Sequence, residues 1–165
     1  METKKQSESE TYVERMVLPE DMDIYEYLYG GRLMEWIDNC ASIVATKHCR
    51  KRTVTGSIDS LFFLLPIHLG DMVILHGYIN YTTKSTMEIE IDVIKEEGLT
   101  GIRRYATKAY LTYVAIDSDG RPTEIPQIVP ETDEEKRRYQ DAEKRAEERR
   151  KRLESIKQQL ASMVP

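Results

Sequence analysis

Gly30 and Gly31 stand directly ahead of an apolar run, and a carboxylate, Asp38, follows two turns later in "YGGRLMEWIDNCASIV". A helix opening on two glycines leaves its first N–H groups uncovered by side chains. Those donors and the positive end of the helix dipole suit an oxygen that is gaining negative charge. In a cleft short of water they would form an oxyanion hole. The pairing therefore reads either as half of an active site or as a tight turn followed by a boundary acid. Other catalytic arrangements lack their residues. No G-x-S-x-G elbow occurs, no C-x-x-C, and His48, His68 and His76 have no metal-ligand spacing.

The element that must carry Asp38 is a helix from about Gly31 to Cys49. At 100° per residue, Leu33, Ile37, Cys40 and Val44 share one face, and Glu35, Asn39, Ser42 and Thr46 lie nearly opposite. Asp38 falls at the border, half sheltered. Before this helix, residues 1 to 10 are polar and read as disordered, a short strand fits Thr11 to Leu18, and an irregular loop follows Pro19. After it, "VTGSIDSLFFLL" and "DMVILHGYINYTT" are β-branched and aromatic, with turn chemistry in "HLGD" between them. In "MEIEIDV" the apolar residues Met87, Ile89, Ile91 and Val93 alternate with Glu88, Glu90 and Asp92, a strand with one dry and one wet face. A last long strand, "IRRYATKAYLTYVAI", ends at "DSDG". One strand, one helix and four further strands give an α+β domain over residues 11–130, an antiparallel sheet covered by a single helix.

Residues 131–165 differ in kind. Between 131 and 160 ten Lys or Arg balance nine Asp or Glu, and pairs such as Glu134–Arg138 and Glu147–Lys151 place the acid four residues ahead of the base. A narrow stripe runs through Tyr139, Ala142, Ala146, Leu153, Ile156, Leu160 and Met163. This is a long solvated helix whose mixed charge does not suit nucleic acid. The whole chain, 165 residues with a formal charge of −5, likewise disfavours general phosphate-backbone binding. Cys40 and Cys49 sit more than two turns apart in one helix and cannot bridge there. The first eleven residues lack an apolar core for export, and Leu61–Ile67 is too short to span a bilayer. The expectation is a cytoplasmic protein, free of membrane.

From "LPEDMDIYEYLYGGRLMEWIDNC" through "STMEIEIDV", "ATKAYLTYVAIDSDGRP" and "IPQIVPETDEEKRRY", roughly residues 12 to 139, the chain resembles the hotdog-fold acyl-CoA thioesterases. The likeness is to the acyl-CoA hydrolase branch with the YciA-like and brain-type cytosolic enzymes. The resemblance implies a hotdog fold, a long helix wrapped by an antiparallel sheet, dimerising and often assembling to hexamers. It implies hydrolysis of acyl-CoA to free acid and CoA at a subunit interface, with no cofactor beyond the coenzyme A of the substrate. Carried across, Gly30 and Gly31 match the family glycines and Asp38 the helical acid, as general base or nucleophile. The family's Asn falls on Asp23, implied to position water, and the Gly three residues later on Glu26. Both are departures, because an ionised Asp cannot donate as an Asn amide does. Lys84, Ser85 and Thr86 match a turn that approaches CoA, with Arg104 or Arg103 assisting. Met34, Trp36 and Phe62 are candidate walls for an acyl tunnel, with core packing the plainer role. A hotdog protein that binds a thioester without efficient hydrolysis is the alternative reading.

Overall fold

In a computed structural model, which describes residues 1–164, the chain divides into a unit spanning Met1–Val129 and a second beginning at Pro130. The first unit runs β1 (Thr3–Lys5), β2 (Thr11–Met16), α1 (Gly30–Cys49), β3 (Arg52–Ile58), β4 (Met72–Thr82), β5 (Thr86–Glu96), β6 (Arg103–Ile116) and β7 (Gln127–Val129). The second is α2 (Asp133–Ser162).

Five strands form one antiparallel sheet in the order β2-β4-β5-β6-β3, and α1 packs on one face against all five. This is the hotdog arrangement that the resemblance implies. The helix stripe reads as expected: Leu33, Ile37, Cys40 and Val44 are buried against the sheet residues Leu75, Ile89, Ile91 and Leu111. At Gly77 on β4 the helix comes closest. A Cβ there would lie 2.8 Å from Ile91 Cδ1 and 2.9 Å from Val44 Cγ2, so only glycine lets α1 settle onto the sheet. The helix closes on Arg50, a left-handed C-cap at φ 51°, whose N–H reaches Thr46 O at 2.9 Å.

Three sequence expectations are corrected. Residues 1–10 are ordered rather than disordered. Thr3–Lys5 pairs in parallel with Gln127–Val129, and Lys4 Nζ donates to His48 O at 2.8 Å. That partner strand lies more than 120 residues away along the chain, beyond any local pattern. The stretch "VTGSIDSLFFLL" is a strand only as far as Ile58; Asp59–Leu69 is a loop lacking ladder pairing apart from isolated contacts. Side chains capture its carbonyls instead, as with Thr107 Oγ1 donating to Phe62 O at 2.6 Å.

The third correction concerns "MEIEIDV". Its alternation marks two faces, but neither is wet: Glu88 and Glu90 are each 2% exposed and Asp92 8%. Glu90 is paired with Lys108 and accepts from Asn80 Nδ2 at 2.5 Å, while Asp92 accepts from Tyr78 Oη at 2.8 Å. Hydrogen bonding of this kind is what makes a buried carboxylate tolerable.

In α2, Thr132 caps the first turn, its Oγ1 accepting from Glu135 N at 3.1 Å, and three acids follow at the positive end of the dipole. The expected pairs Glu134–Arg138 and Glu147–Lys151 form. Asp133 also pairs with Lys136 and Asp141 with Lys144, each three residues on.

Candidate active site

Asp38 sits in the third turn of α1, half-buried, where the helix crosses β6 and β3. On β6 the helix-facing positions are Ala109, Leu111, Tyr113 and Ala115, and three of the four are plain core residues. Tyr113 adds a hydroxyl to that face. Its Oη lies 2.7 Å from Asp38 Oδ1 and 2.8 Å from Asp38 O. Thr55 pairs directly opposite Tyr113 in the β3–β6 ladder, and its Oγ1 donates to the same Oδ1 at 2.9 Å. A β-bulge between Thr55 and Ser57 accompanies Gly56, where a Cβ would lie 3.2 Å from Thr112 O.

Two hydroxyls therefore fix one carboxylate oxygen. The other, Oδ2, has no partner among the described residues. Burial pushes the Tyr113 phenol well above its ordinary value, and the adjoining Asp38 carboxylate adds to the rise. Tyr113 thus remains a donor at neutral pH. What results is an oriented carboxylate with one free lone-pair face, the arrangement a general base needs.

The start of α1 matches its expected character. Tyr29, the N-cap, gives no side-chain cap, and its carbonyl accepts from the N–H groups of Arg32 and Leu33. The N–H groups of Gly30 and Gly31 have no acceptor among the described residues. The ring of Phe63 lies over Gly30, 3.5 Å from where a Cβ would stand. Beside it opens a cavity of about 370 Å³ lined by Tyr27, Leu33, Phe63, Leu65 and Ile67 among others. Met34, Trp36 and Phe62 do not line it; Trp36 is buried beneath the Arg15 guanidinium, 5.6 Å from the ring centre.

The start of α1 and Asp38 do not meet within one chain. Eight residues of helix separate Gly30 from Asp38, about 12 Å along the axis at 1.5 Å per residue. A thioester carbonyl cannot touch both at once.

Asp23 and Glu26 form the turn before the helix. Asp23 Oδ1 accepts from Tyr25 N at 2.8 Å and Tyr27 N at 3.1 Å, an Asx turn. An Asn would make the same turn with its Oδ1 and present an amide donor outward; Asp presents a second acceptor there. Glu26 keeps the backbone that a glycine would suit, at φ 64°. Holding a side chain in that left-handed region is unfavourable by about 1–2 kcal/mol, part of which glycine's extra unfolded-state freedom offsets. Glu26→Gly should therefore raise stability by about 0.5–1 kcal/mol, seen as a melting temperature higher by about 1–4 °C. An unchanged or lower midpoint would mean that the Glu26 side chain contributes contacts of its own.

The expected CoA contacts fall at two ends of the sheet. Lys84, Ser85 and Thr86 form the β4–β5 turn, closed by Thr83 N to Thr86 O at 2.8 Å, and Lys84 Nζ pairs with Glu124 at 3.1 Å. Thr86 neighbours Met87, the residue paired with Tyr113, so this turn stands level with Asp38. Arg104 is exposed at the opposite end, paired in register with Lys95, about 30 Å away along β5 at about 3.3 Å per residue. Within the chain, Lys84 and Arg104 are not neighbours.

Thr55 and Tyr113 are the residues missed by sequence reasoning. The available signal was a tyrosine on the helix-facing side of an otherwise small and apolar alternation in β6.

Residues 25–102 match the thioesterase superfamily. The acyl-CoA thioester hydrolase YkhA of Bacillus subtilis, itself uncharacterized, is 44% identical over 151 residues, covering 92% of this chain and 88% of the relative. Among solved structures, an acyl-CoA hydrolase from Staphylococcus aureus in complex with butyryl coenzyme A, coenzyme A and coenzyme A disulfide superposes with a TM-score of 0.90. It is 36% identical, with 96% of this chain and 97% of that one covered. Variants of that enzyme with an aspartate, an asparagine and a threonine each replaced by alanine have also been solved. An apo-hexameric acyl-CoA thioesterase is similar at 37% identity and a TM-score of 0.88, over 93% of this chain and 98% of that one. Sequence and fold agree, and the chain belongs to the acyl-CoA thioester hydrolases of the thioesterase superfamily.

Proposed function

We propose that the protein hydrolyses acyl-CoA thioesters to the free acid and CoA, at a site completed by a second copy of the chain. The observation that carries this reading is Asp38, held through one oxygen by Thr55 and Tyr113 with the other oxygen free. The three residues replaced in the Staphylococcus aureus variants support it. The intervals between its asparagine, aspartate and threonine equal those separating Asp23, Asp38 and Thr55 here.

In this scheme Gly30 and Gly31 N–H groups of one copy hold the thioester oxygen while Asp38 of the other takes a proton from water through Oδ2. The water oxygen bonds to the carbonyl carbon, the C–S bond breaks and CoA leaves as the thiolate. Asp23 orients the incoming water from the Gly-Gly side. The Lys84–Thr86 turn meets the CoA moiety; Arg104 serves it from the neighbouring copy.

Pairing of two copies is supported by the same geometry. The 12 Å offset along α1 is spanned when two helices run antiparallel across a two-fold axis. β3 is an edge strand with Val54 and Ile58 exposed, and Ile24, Tyr25, Phe62 and Leu64 are each more than two-thirds exposed near the site. So much apolar surface marks an interface. We further propose a hexamer built from such dimers.

The test is thiol release from a series of acyl-CoAs, followed with Ellman's reagent, alongside the mass in solution by light scattering. Thiol release from a dimer or hexamer is the expected result. Tight CoA binding without thiol release would replace hydrolysis by a carrier or sensor role, and an active monomer would remove the shared site.

A further inference from the structure

The helix-facing positions of β5 are Met87, Ile89, Ile91 and Val93, all fully buried, and the next position in that alternation is a lysine. Lys95 is 9% exposed at its side chain, where a fifth apolar residue would continue the pattern. Its Nζ donates to Pro66 O at 3.0 Å, pairs with Asp71 Oδ2 at 3.2 Å and lies 3.5 Å from His68 Nδ1. Asp71, 11% exposed, also accepts from His68 N at 2.8 Å. One ammonium thus ties together both ends of the turn that leads from the 59–69 loop into β4.

The carbonyl it holds is well placed. Four residues earlier, Thr107 Oγ1 on β6 donates to Phe62 O at 2.6 Å. Thr107 pairs with Val93, so the two anchors stand close together on adjacent strands, on the face that meets α1. Between Phe62 and Pro66 lie Phe63, Leu64 and Leu65, all three lining the cavity beside Gly30. No ladder pairing holds these residues, and Phe63 and Leu64 are 56% and 73% exposed. Fixing large apolar side chains on a segment without ladder pairing has an entropic cost that their own packing does not meet. The two anchored carbonyls supply the constraint.

We propose that Lys95, with Thr107, is a positioning residue for acyl-chain recognition: it clamps the Phe63–Leu65 segment as the wall of the cavity at the start of α1. The proposal rests on the thioesterase reading for its substrate, but not for the clamp. Lys95 touches no reacting atom. Its loss should loosen the wall and weaken binding of acyl chains long enough to reach it, while the chemistry at Asp38 continues.

Two measurements on the intact oligomer test this. Hydrogen–deuterium exchange of peptides spanning residues 60–69 should accelerate at least tenfold in Lys95→Met, with peptides spanning 72–82 unchanged. In thiol-release assays KM for hexanoyl-CoA should rise about tenfold, KM for acetyl-CoA less than twofold, and kcat should stay within twofold. Thr107→Val keeps side-chain volume and removes the second anchor. It should shift the same readouts in the same direction, and it decides the matter if Lys95→Met does not accumulate. Unchanged exchange at 60–69 overturns the clamp; so does a fall in kcat that is equal for every chain length at constant KM. Wild-type protein that releases no thiol would defeat the thioesterase reading alone, and the exchange comparison would still judge the clamp.

Discussion

Asp38→Asn should lower kcat for acyl-CoA hydrolysis by roughly a hundred- to ten-thousand-fold, the range for loss of a positioned general base. The substitution is well controlled. Asn Oδ1 can still accept from Thr55 and Tyr113, the two bonds that fix the side chain, so helix and rotamer are retained. Only the Oδ2 acceptor becomes an amide that can take no proton. KM should move little, because Oδ2 meets water rather than the acyl or CoA portions of the substrate. The measurement is steady-state thiol release with the purified variant, accompanied by a thermal melt. Near wild-type kcat in a folded Asp38→Asn protein would remove Asp38 from the mechanism and leave the helix N-terminus and Asp23 as catalytic machinery. A fall in kcat with a collapsed melting temperature would instead assign Asp38 to the fold.

The residues on α1 were legible because a helix displays its environment through local spacing. Leu33, Ile37, Cys40 and Val44 recur at three and four residues, which fixes the buried face and places Asp38 at its border. The partners that convert this border acid into an oriented base were not legible. Thr55 and Tyr113 meet Asp38 through the pairing of β3 with β6, and register across a sheet joins residues distant in sequence. The bulge at Gly56 shifts that register by one, which no alternation predicts. β5 failed differently. Its charges alternate as a solvated face would, yet Glu88, Glu90 and Asp92 are buried; for Glu90 and Asp92 a cross-strand lysine, an asparagine and a tyrosine stand where water otherwise would. Periodicity reports which residues share a face. It does not report what covers that face. The same blindness applied at residues 1–10, whose order depends on backbone bonds to Gln127–Val129 rather than on their own composition.

That buried carboxylate pair sets up the second large effect. Lys108→Met should destabilise the protein by about 2–3 kcal/mol near neutral pH. Breaking a fully buried pair by removing one partner typically costs about 3–5 kcal/mol, and the figure is reduced here because the Lys108 side chain is 46% exposed and its charge partly screened. Lys108 contacts both Glu90 and, at 3.3 Å, Asp92. Burial alone would push the Glu90 carboxyl upward, but hydrogen bonds from Lys108 and Asn80 outweigh it and hold the group below its usual range. A carboxyl depressed in the folded state contributes stability that is present above its unfolded value, near pH 4.5, and is lost as pH falls through the folded one. Removing Lys108 takes away the largest of the effects that oppose burial, so burial should then push the Glu90 carboxyl upward. Raised above its unfolded value, Glu90 would let the variant recover stability as pH falls toward that value. The gap between wild type and variant should therefore be widest near pH 7.5 and narrow at pH 4.5. Lys108 itself, raised by Glu90 against the opposing effect of burial, keeps its contribution throughout this interval, since that is lost only as pH rises through its folded value. Urea unfolding at the two pH values, at one fixed protomer concentration so that assembly contributes equally, reads the difference. A gap that stays constant with pH would show that Lys108 acts through its packed methylene stem and not through its charge.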